Sequence, residues 1–527
     1  MKLSKAQQSI LTAYVKLAKE KRYFPSRTDL FRAGISRDKI RHSFSSLQHL
    51  KELVIEQNPD LSKIIIDQSL ITPEAIQELN DELSKYRGFV ITTAVGGAPV
   101  HKKFLKSLKA YCDRNGYKLL ILMCEDPASA NKFVLPRGLE TEQIVFTDVR
   151  LNNNVFISTI KLPAKMFDPS TSLSRIGQRS GSFIYASPKQ RLKFSPVANQ
   201  RLPHALMTTG AITLPNYKTE HYLSERTAYI ASHDHVLGAI IVEIQDDEIF
   251  HFRQVQAEPN TGYFVDLGTY YKGNDIAKLR PKILFGDWHS GETDPVAKQA
   301  SKELVDLVNP TSILVSDTFN GKSISHHEKN KRVSRARNME AGLLSLEDEL
   351  KGLAKDFVEL QTWADELVIV KSNHDEFLDE ILEDGRFVND PLNYRVCARL
   401  ASAMIEGHDP LKYAIEELLQ TDTTKMRWLS LDEDYIFAGV QMGAHGHKGP
   451  NGVRGNLKNL ESAYGNCMIG HSHTPGILYG AWQVGTLSFL RVGYNHGASS
   501  WFHTNGLVYE NGARQLVNII DGAWRIK

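Results

Sequence analysis

Ile283-Leu284-Phe285-Gly286-Asp287-Trp288-His289 is a short apolar run that ends in Gly-Asp-Trp-His. An apolar run of that length reads as a buried strand that hands polar side chains to a sheet edge. The pattern recurs further along. Ile313-Leu314-Val315 leads into Ser316-Asp317-Thr318-Phe319-Asn320-Gly321, and Leu367-Val368-Ile369-Val370 leads into Ser372-Asn373-His374-Asp375. Ile436-Phe437-Ala438 precedes Ala444-His445-Gly446-His447, and Gly470-His471-Ser472-His473 follows. In α/β sheets, sites form outside the carboxyl ends of the strands. Strand ends carrying Asp, His and Asn therefore predict one convergent polar site.

Asp287, His289, Asp317, Asn373, His445, His471 and His473 combine carboxylate, amide oxygen and imidazole. That donor set suits Mn, Fe, Zn or Mg and not a thiolate cluster. Seven donors exceed one ion and suit two that share a carboxylate. Two ions about 3.5–4 Å apart clamp a phosphoryl group and make a nucleophile from water at neutral pH. A lone His near a strand end is more often hydrogen-bonded structure than a ligand. The weight here comes from the motifs standing in series.

The series resembles the calcineurin-like metallophosphoesterase superfamily, whose pattern is D-x-H, G-D, G-N-H-D/E, H and G-H-x-H. Here it reads D-W-H, S-D, S-N-H-D, H-G-H and G-H-S-H, with Ser316 and Ser372 where the family has Gly. The resemblance covers roughly the C-terminal half. It implies a four-layer β-sandwich with flanking helices. It implies that Asp287, His289 and His473 hold one metal, that Asn373, His445 and His471 hold the other, and that Asp317 bridges them. Manganese is the first expectation for both ions. His374 would face the scissile phosphate as acid or charge stabiliser, with Asp375 orienting it. The family ligates through the first His of H-G-H, which leaves His447 at the rim. In its metal motifs the chain is similar to SbcD-type nucleases. In whole-chain organisation it is similar to the host-DNA degradation proteins of T-odd phages.

The chain has 527 residues, enough for about two to four domains. With 42% hydrophobic and 24% charged residues it has the composition of a soluble globular protein. A net charge of +2 means that any nucleic-acid affinity must come from local patches. Cys112, Cys124, Cys397 and Cys467 form no C-x-x-C and read as reduced thiols of a cytoplasmic protein, host cytoplasm if phage-encoded. No apolar run approaches a membrane span, and the N-terminus lacks a signal-peptide core.

Residues 1–55 read as a helix-turn-helix-like module. Ile10, Leu11, Tyr14, Val15 and Ala18 make a helical stripe, Ser26 and Ser36 cap two further helices, and Gly34 stands between them. Twelve Lys/Arg against four Asp/Glu give this stretch a local +8. Arg37, Lys39 and Arg41 stand near the start of the third helix, which carries Ile40, Phe44, Leu47 and Leu50, where a recognition helix meets DNA. A basic docking cap is the alternative. Residues 56–87 are a linker and a helix starting at Thr72-Pro73.

Residues 88–275 read as an α/β middle domain, opened by a βαβ unit over 89–123. Its Gly96-Gly97 turn lacks the G-K-[ST] ending of a phosphate loop. Arg175, Arg179, Lys189, Arg191, Lys193 and Arg201, interleaved with Phe183, Tyr185 and Phe194, suit either a nucleic-acid path or a solvated face. His233-Asp234-His235 reads as structural.

Residues 280–527 carry the motifs, with helical insertions at 338–365 (one long amphipathic helix) and 376–430. Lys329, Lys331, Arg332, Arg335 and Arg337 form a basic run after the second motif, placed to hold a polyanion. The expectation is thus an α/β, two-metal nuclease acting on DNA, without a membrane. Its further partners would be a second copy of itself or a phage or host protein. A metallophosphatase or nucleotide phosphodiesterase with a docking head is one alternative, and a DNA-binding regulator with an inert metal domain is another.

Overall fold

The computed structural model describes residues 3–65, 72–125, 134–141, 144–198, 202–217, 224–324, 331–493 and 495–526. At the N-terminus, Ser4 opens the helix Lys5–Lys21 with a capping box: its hydroxyl accepts from Gln7 N, and its own N–H donates to the Gln7 side chain. The helices Arg27–Arg32 and Arg37–Ser43 are capped by Ser26 and Ser36 as expected. The third helix is shorter than its pattern suggests. Ser46 accepts from His49 N and starts a separate helix, Leu47–Gln57. Serine competes for backbone donors and prefers a cap to a helix interior. The head core of Tyr14, Leu30, Ile40, Leu50 and Val54 also takes in Leu61 and Ile65, so the packed unit runs past residue 55.

Asp29, only 6% exposed, fixes the second helix of this head. It accepts from Ser26 N at 2.8 Å, Ser26 Oγ at 2.6 Å and Lys21 Nζ at 3.1 Å. Burial pushes its pKa up, but the Ser26 bonds and Lys21 outweigh burial and hold the carboxylate well below its usual range. With the folded pKa depressed, the contribution is whole above the unfolded carboxylate pKa of about 4 and is lost as pH falls below it. Asp29→Asn should destabilise the head by about 1–2 kcal/mol at pH 7, and by progressively less below about pH 4. Urea unfolding of both proteins at pH 7 and pH 3 checks this. An equal gap at both pH values would remove the ionised carboxylate from the account.

The strand Gly88–Val95 pairs in parallel with Lys118–Cys124 across the helix Lys102–Asn115, which is the expected βαβ unit. Gly238–Ile244 and Phe250–Gln256 add to this sheet antiparallel. A second sheet runs Met426–Leu429, Glu366–Val370, Ser312–Val315, Lys282–Leu284, Thr504–Val508, Arg514–Asn518. Its first four strands are parallel and the last two antiparallel. Leu284, Leu314, Val368 and Val370 face one core, while Ile283, Ile313, Leu367 and Ile369 face another. That is the period-2 alternation of a sheet covered on both faces. The helices Pro295–Val308 and Leu346–Leu360 pack on the second face.

Among the described residues the largest sheet has ten strands, and it takes them from both halves of the chain. Val149–Asn152, Val155–Ser158, Ser182–Tyr185, His204–Thr208 and Arg191–Ser195 continue through Gly476–Leu478 into Ala481–Gln483, Cys467–Ile469, Val440–Gln441 and Ile436–Phe437. The seam is the antiparallel pairing of Ile477 with Leu192 and Leu478 with Arg191. Leu192, Phe194, Met207, Leu284, Val368, Met468 and Trp482 belong to one core. Residues 88–275 and 280–527 therefore share backbone hydrogen bonds and apolar packing.

Several local expectations change. Among the basic and aromatic residues of the middle region, Lys189, Arg191, Phe183, Tyr185 and Phe194 are buried. Lys189 pairs with Asp234 at 3.3 Å, and the Arg191 guanidinium lies 3.7 Å from the Tyr479 ring centre. These groups cannot line an open nucleic-acid path. Arg175, Arg179 and Lys193 stay exposed, and Arg201 lies outside the described residues. His235 is held by Thr213 O and Tyr217 Oη, a structural role. The expected long helix at 338–365 is two, Arg332–Glu340 and Leu346–Leu360, separated at Gly342 (φ +70°), with Ser345 capping the second. The 376–430 stretch is helical until it returns as the edge strand Met426–Leu429, too short for its alternation to stand out. The four cysteines are buried and unpaired. No helix among the described residues is long and apolar enough to cross a membrane.

Candidate metal centre

Each motif sits where a strand stops. Lys282–Leu284 leads to Asp287 and His289, Ser312–Val315 to Asp317, Glu366–Val370 to Asn373 and His374, and Cys467–Ile469 to His471 and His473. For His445 the delivering strand is Val440–Gln441. The run at Ile436–Phe437 is its hairpin partner, turned back through Ala438 (φ +48°) and Gly439 (φ +77°). His289, Asp317, His471 and His473 have φ of +50°, +48°, +77° and +59°. A left-handed backbone is uncommon outside glycine and costs about 1 kcal/mol or more per residue. Four such residues at one place turn side chains inward that ordinary strand ends would turn away. Gly470 permits the closeness: a Cβ there would lie 2.2 Å from Asp287 Oδ1.

The seven donors converge. Asp317 Oδ2 lies 3.3 Å from His445 Nε2, 3.7 Å from His289 Nε2 and 4.0 Å from His473 Nε2. Asp287 Oδ2 lies 3.3 Å from His473 Nε2 and accepts from His471 N at 2.8 Å. Asn373 Oδ1 faces His445 Nε2 at 3.1 Å and His471 Nδ1 at 3.0 Å. Among the described residues, three groups have ligand atoms close enough for one ion: His289, Asp317 and His374; Asp317, His445 and His471; Asp287, Asp317 and His473. Asp317 belongs to all three. His447 stands at the rim, its Nε2 3.0 Å from Glu376 Oε2.

Charge and burial fit a divalent cation. Burial pushes His289 well below the usual imidazole range and His471 down to about 3, so both are neutral donors. Burial also lowers His445, but Asp317 and Asp287 outweigh it and raise this imidazole to about 9. Asp287 is raised to about 6, chiefly by burial. Asp317 is held well below the carboxylate range because His445 and His374 overcome its burial. Among the described residues the buried Asp317 Oδ1 has no hydrogen-bond partner, and His289 Nε2 faces His473 Nε2 at 3.0 Å. Orphaned carboxylate oxygen and facing imidazole nitrogens are an arrangement that a shared cation satisfies.

Some supporting contacts carry no sequence signal. His374 Nδ1 lies 2.9 Å from the Asn320 carbonyl. Asp375 instead accepts from Ser372 N at 2.8 Å and Ser372 Oγ at 2.9 Å, and its Oδ1 has no hydrogen-bond partner among the described residues. The group that orients His374 is thus Asn320 and not Asp375, because Asp375 is engaged in the capping box of the helix Asn373–Glu383. A backbone carbonyl can come from any residue, so no motif marks Asn320. Ser316 does more than replace a glycine: its hydroxyl donates to Asp287 Oδ1 at 3.2 Å. Asp356 accepts from Trp288 Nε1 at 3.0 Å and Ser290 Oγ at 2.6 Å, bracing the first motif.

None of the described residues expected to contact DNA belongs to the candidate ligand groups. Arg37, Lys39 and Arg41 are exposed on the head. Lys331, Arg332 and Arg337 are exposed and Arg335 half-buried, on or beside a helix that buries none of its residues. Lys329 lies outside the described residues.

The chain is similar to Protein A1 of Escherichia phage T5, at 28% identity over 478 residues, 84% of this chain and 83% of that protein. No family model and no solved structure matches it. A likeness of that extent reaches well beyond the motif-bearing half and supports a phage origin.

Proposed function

We propose that the chain is a metal-dependent nuclease that hydrolyses DNA phosphodiester bonds at a two-metal centre, serving host-DNA degradation in phage infection. The observation that carries this reading is the presence of Asp317 in all three candidate ligand groups. The two packed sheets with helices outside support a metallophosphoesterase-type sandwich. The residues that would hold two ions are Asp287, His289 and His473 on one side, Asn373, His445 and His471 on the other, and Asp317 between. Bound there, the ions would supply Lewis acidity toward a phosphoryl oxygen and lower the pKa of water.

The chain's own residues then do the following. Asp287 and Asp317 concentrate negative charge in a buried pocket. With Nδ1–H donating to the Asn320 carbonyl, the imidazolium form of His374 carries a second N–H, at Nε2, to donate toward the phosphate or the leaving oxygen. One P–O bond forms from water, the bond to the leaving sugar oxygen breaks, and that oxygen takes a proton.

The test is incubation of purified protein with circular and linear DNA in Mn²⁺, Mg²⁺ or EDTA. Cleavage with metal and none in EDTA is expected; no cleavage in any metal would overturn the reading. The basic head supports DNA over a small substrate. Replacing Arg37, Lys39 and Arg41 together by Ala should weaken DNA binding and flatten its salt dependence, by about 0.9 in log–log slope per lost phosphate contact. Because these side chains are exposed, the head should stay folded. An unchanged slope would favour the docking-cap alternative.

A further inference from the structure

A cavity of about 630 Å³ is walled by both halves of the chain, and it shares no residue with the candidate ligand groups. The helix Lys102–Asn115 gives it Tyr111, the strand Phe250–Gln256 Arg253, and the strand Thr269–Lys272 Tyr271. The helix Pro295–Val308 and the C-terminal Trp524 close the other side. Cavities that take a small molecule run from about 300 to 1,000 Å³ and carry a few placed polar groups on an apolar wall.

The polar floor is a buried ionic network. Arg253 is 3% exposed, Glu243 2% and Asp266 5%. Arg253 Nε donates to Asp266 Oδ1 at 2.6 Å, and its Nη2 donates to Asp266 Oδ2 at 3.0 Å and Glu243 Oε1 at 2.9 Å. The Tyr111 and Tyr117 hydroxyls donate to Asp266 Oδ2 and Glu243 Oε1. Gln515 Nε2 donates to Asp266 Oδ1 and Ile526 N to Glu243 Oε2. All four carboxylate oxygens are thus met, and the floor has no need of a cation. Its unmet group is a donor, because the buried Arg253 Nη1 has no hydrogen-bond partner among the described residues. A buried donor without a partner marks a place for an acceptor. Two carboxylates against one guanidinium repel an anion there, so the acceptor should be a neutral one.

The wall and the rim narrow the ligand further. The Tyr111 ring centre lies 4.8 Å from that of Tyr271 and 5.9 Å from that of Tyr117, which sets three aromatic rings together and suits a planar ligand. At the rim, Lys278 and Arg525 are exposed and Glu303 is half-buried. Lys278 Nζ donates to Thr269 Oγ1 at 2.9 Å and Arg525 lies over the Trp524 ring, contacts that neutralise neither cation. Two cations against one carboxylate leave the rim positive. The cavity therefore asks for a planar body with a neutral acceptor edge and an anionic end pointing outward.

We propose that the cavity binds a purine nucleoside monophosphate of the keto type, with the base acceptors met by Arg253 and the phosphate held at Lys278 and Arg525. Guanine offers two acceptors, N7 and O6, on the edge that arginine reads, whereas adenine sets a donor beside its N7. The site uses no metal and stands whether or not the chain cleaves DNA.

The test is calorimetric titration of the full chain in EDTA with dGMP, dAMP, deoxyguanosine and inorganic phosphate. dGMP should bind tightest, about fivefold or more over dAMP, and inorganic phosphate should bind least. Lys278→Ala combined with Arg525→Ala should weaken dGMP by about threefold to tenfold and leave deoxyguanosine unchanged. Both side chains are exposed, so this variant should keep its fold. Thr269→Trp, which puts an indole in a half-buried part of the wall, should remove both dGMP and deoxyguanosine binding, with the melting temperature checking that the variant is folded. Absence of dGMP binding would overturn the proposal. Inorganic phosphate bound as tightly as dGMP would reduce the site to an anion seat, and dAMP bound as tightly would remove Arg253 from the recognition; either result overturns it. Binding of dGMP that appears only in Mn²⁺ would place the nucleotide at the metal centre and overturn it too.

Discussion

Asp317→Ala should lose DNA cleavage and bound metal together, with activity down by more than the factor of about 10²–10³ expected for loss of a single charge-stabilising donor. The reason is geometric. Asp317 Oδ2 is within 4.0 Å of nitrogen atoms on His289, His445 and His473, so its removal takes a donor from both sides of the site at once. It also removes the first of the two carboxylates that chiefly raise His445. The buried imidazoles would then face one another with one fewer carboxylate to balance a cation. Elemental analysis after loading with excess Mn²⁺ gives the metal count, and cleavage is measured on the same preparation. Two ions retained in Asp317→Ala would exclude a bridging role. Fewer than one ion per chain in the native protein would exclude the two-metal centre.

Much of this site was legible because its chemistry is written in side chains. Asp287, His289, Asp317 and Asn373 each follow an apolar run that is their strand, whereas the run read for His445 is the hairpin partner of its strand and His471 and His473 stood out by their motif alone. What escaped the sequence is carried by the backbone or by distance. The left-handed φ at His289, Asp317, His471 and His473 leaves no mark in composition. Asn320 acts through its carbonyl. The largest sheet was hidden for another reason. Its seam joins Arg191–Ser195 to Gly476–Leu478, nearly three hundred residues away along the sequence, and local patterns give no sign of pairing at that range. The same seam explains why the basic and aromatic stretch misled: Lys189 and Arg191 sit beside a sheet interior, and their charges are met by Asp234 and Asp168.

His374→Ala separates the catalyst from the ligands at neighbouring positions. Asn373 and His374 are consecutive at the end of one strand, yet they face different partners. Asn373 Oδ1 looks toward His445 and His471, while His374 Nδ1 is tied to the Asn320 carbonyl. If His374 serves the phosphate, its loss should slow cleavage by about 10²–10³ and leave both ions bound. The structure also defines the competing outcome, because His374 has a nitrogen close enough to His289 and Asp317 to join them on one ion. In that case the variant would lose an ion, and its activity would follow its metal content. Measuring cleavage and bound metal together decides between the two. His374→Gln sharpens the choice, since an amide can still donate toward a phosphate oxygen but is a poorer metal donor than imidazole. Partial recovery of rate with full metal would fix His374 as the group acting on the phosphate. Loss of an ion in both variants would move it into the ligand set and leave the proton for the leaving oxygen to come from elsewhere in the pocket.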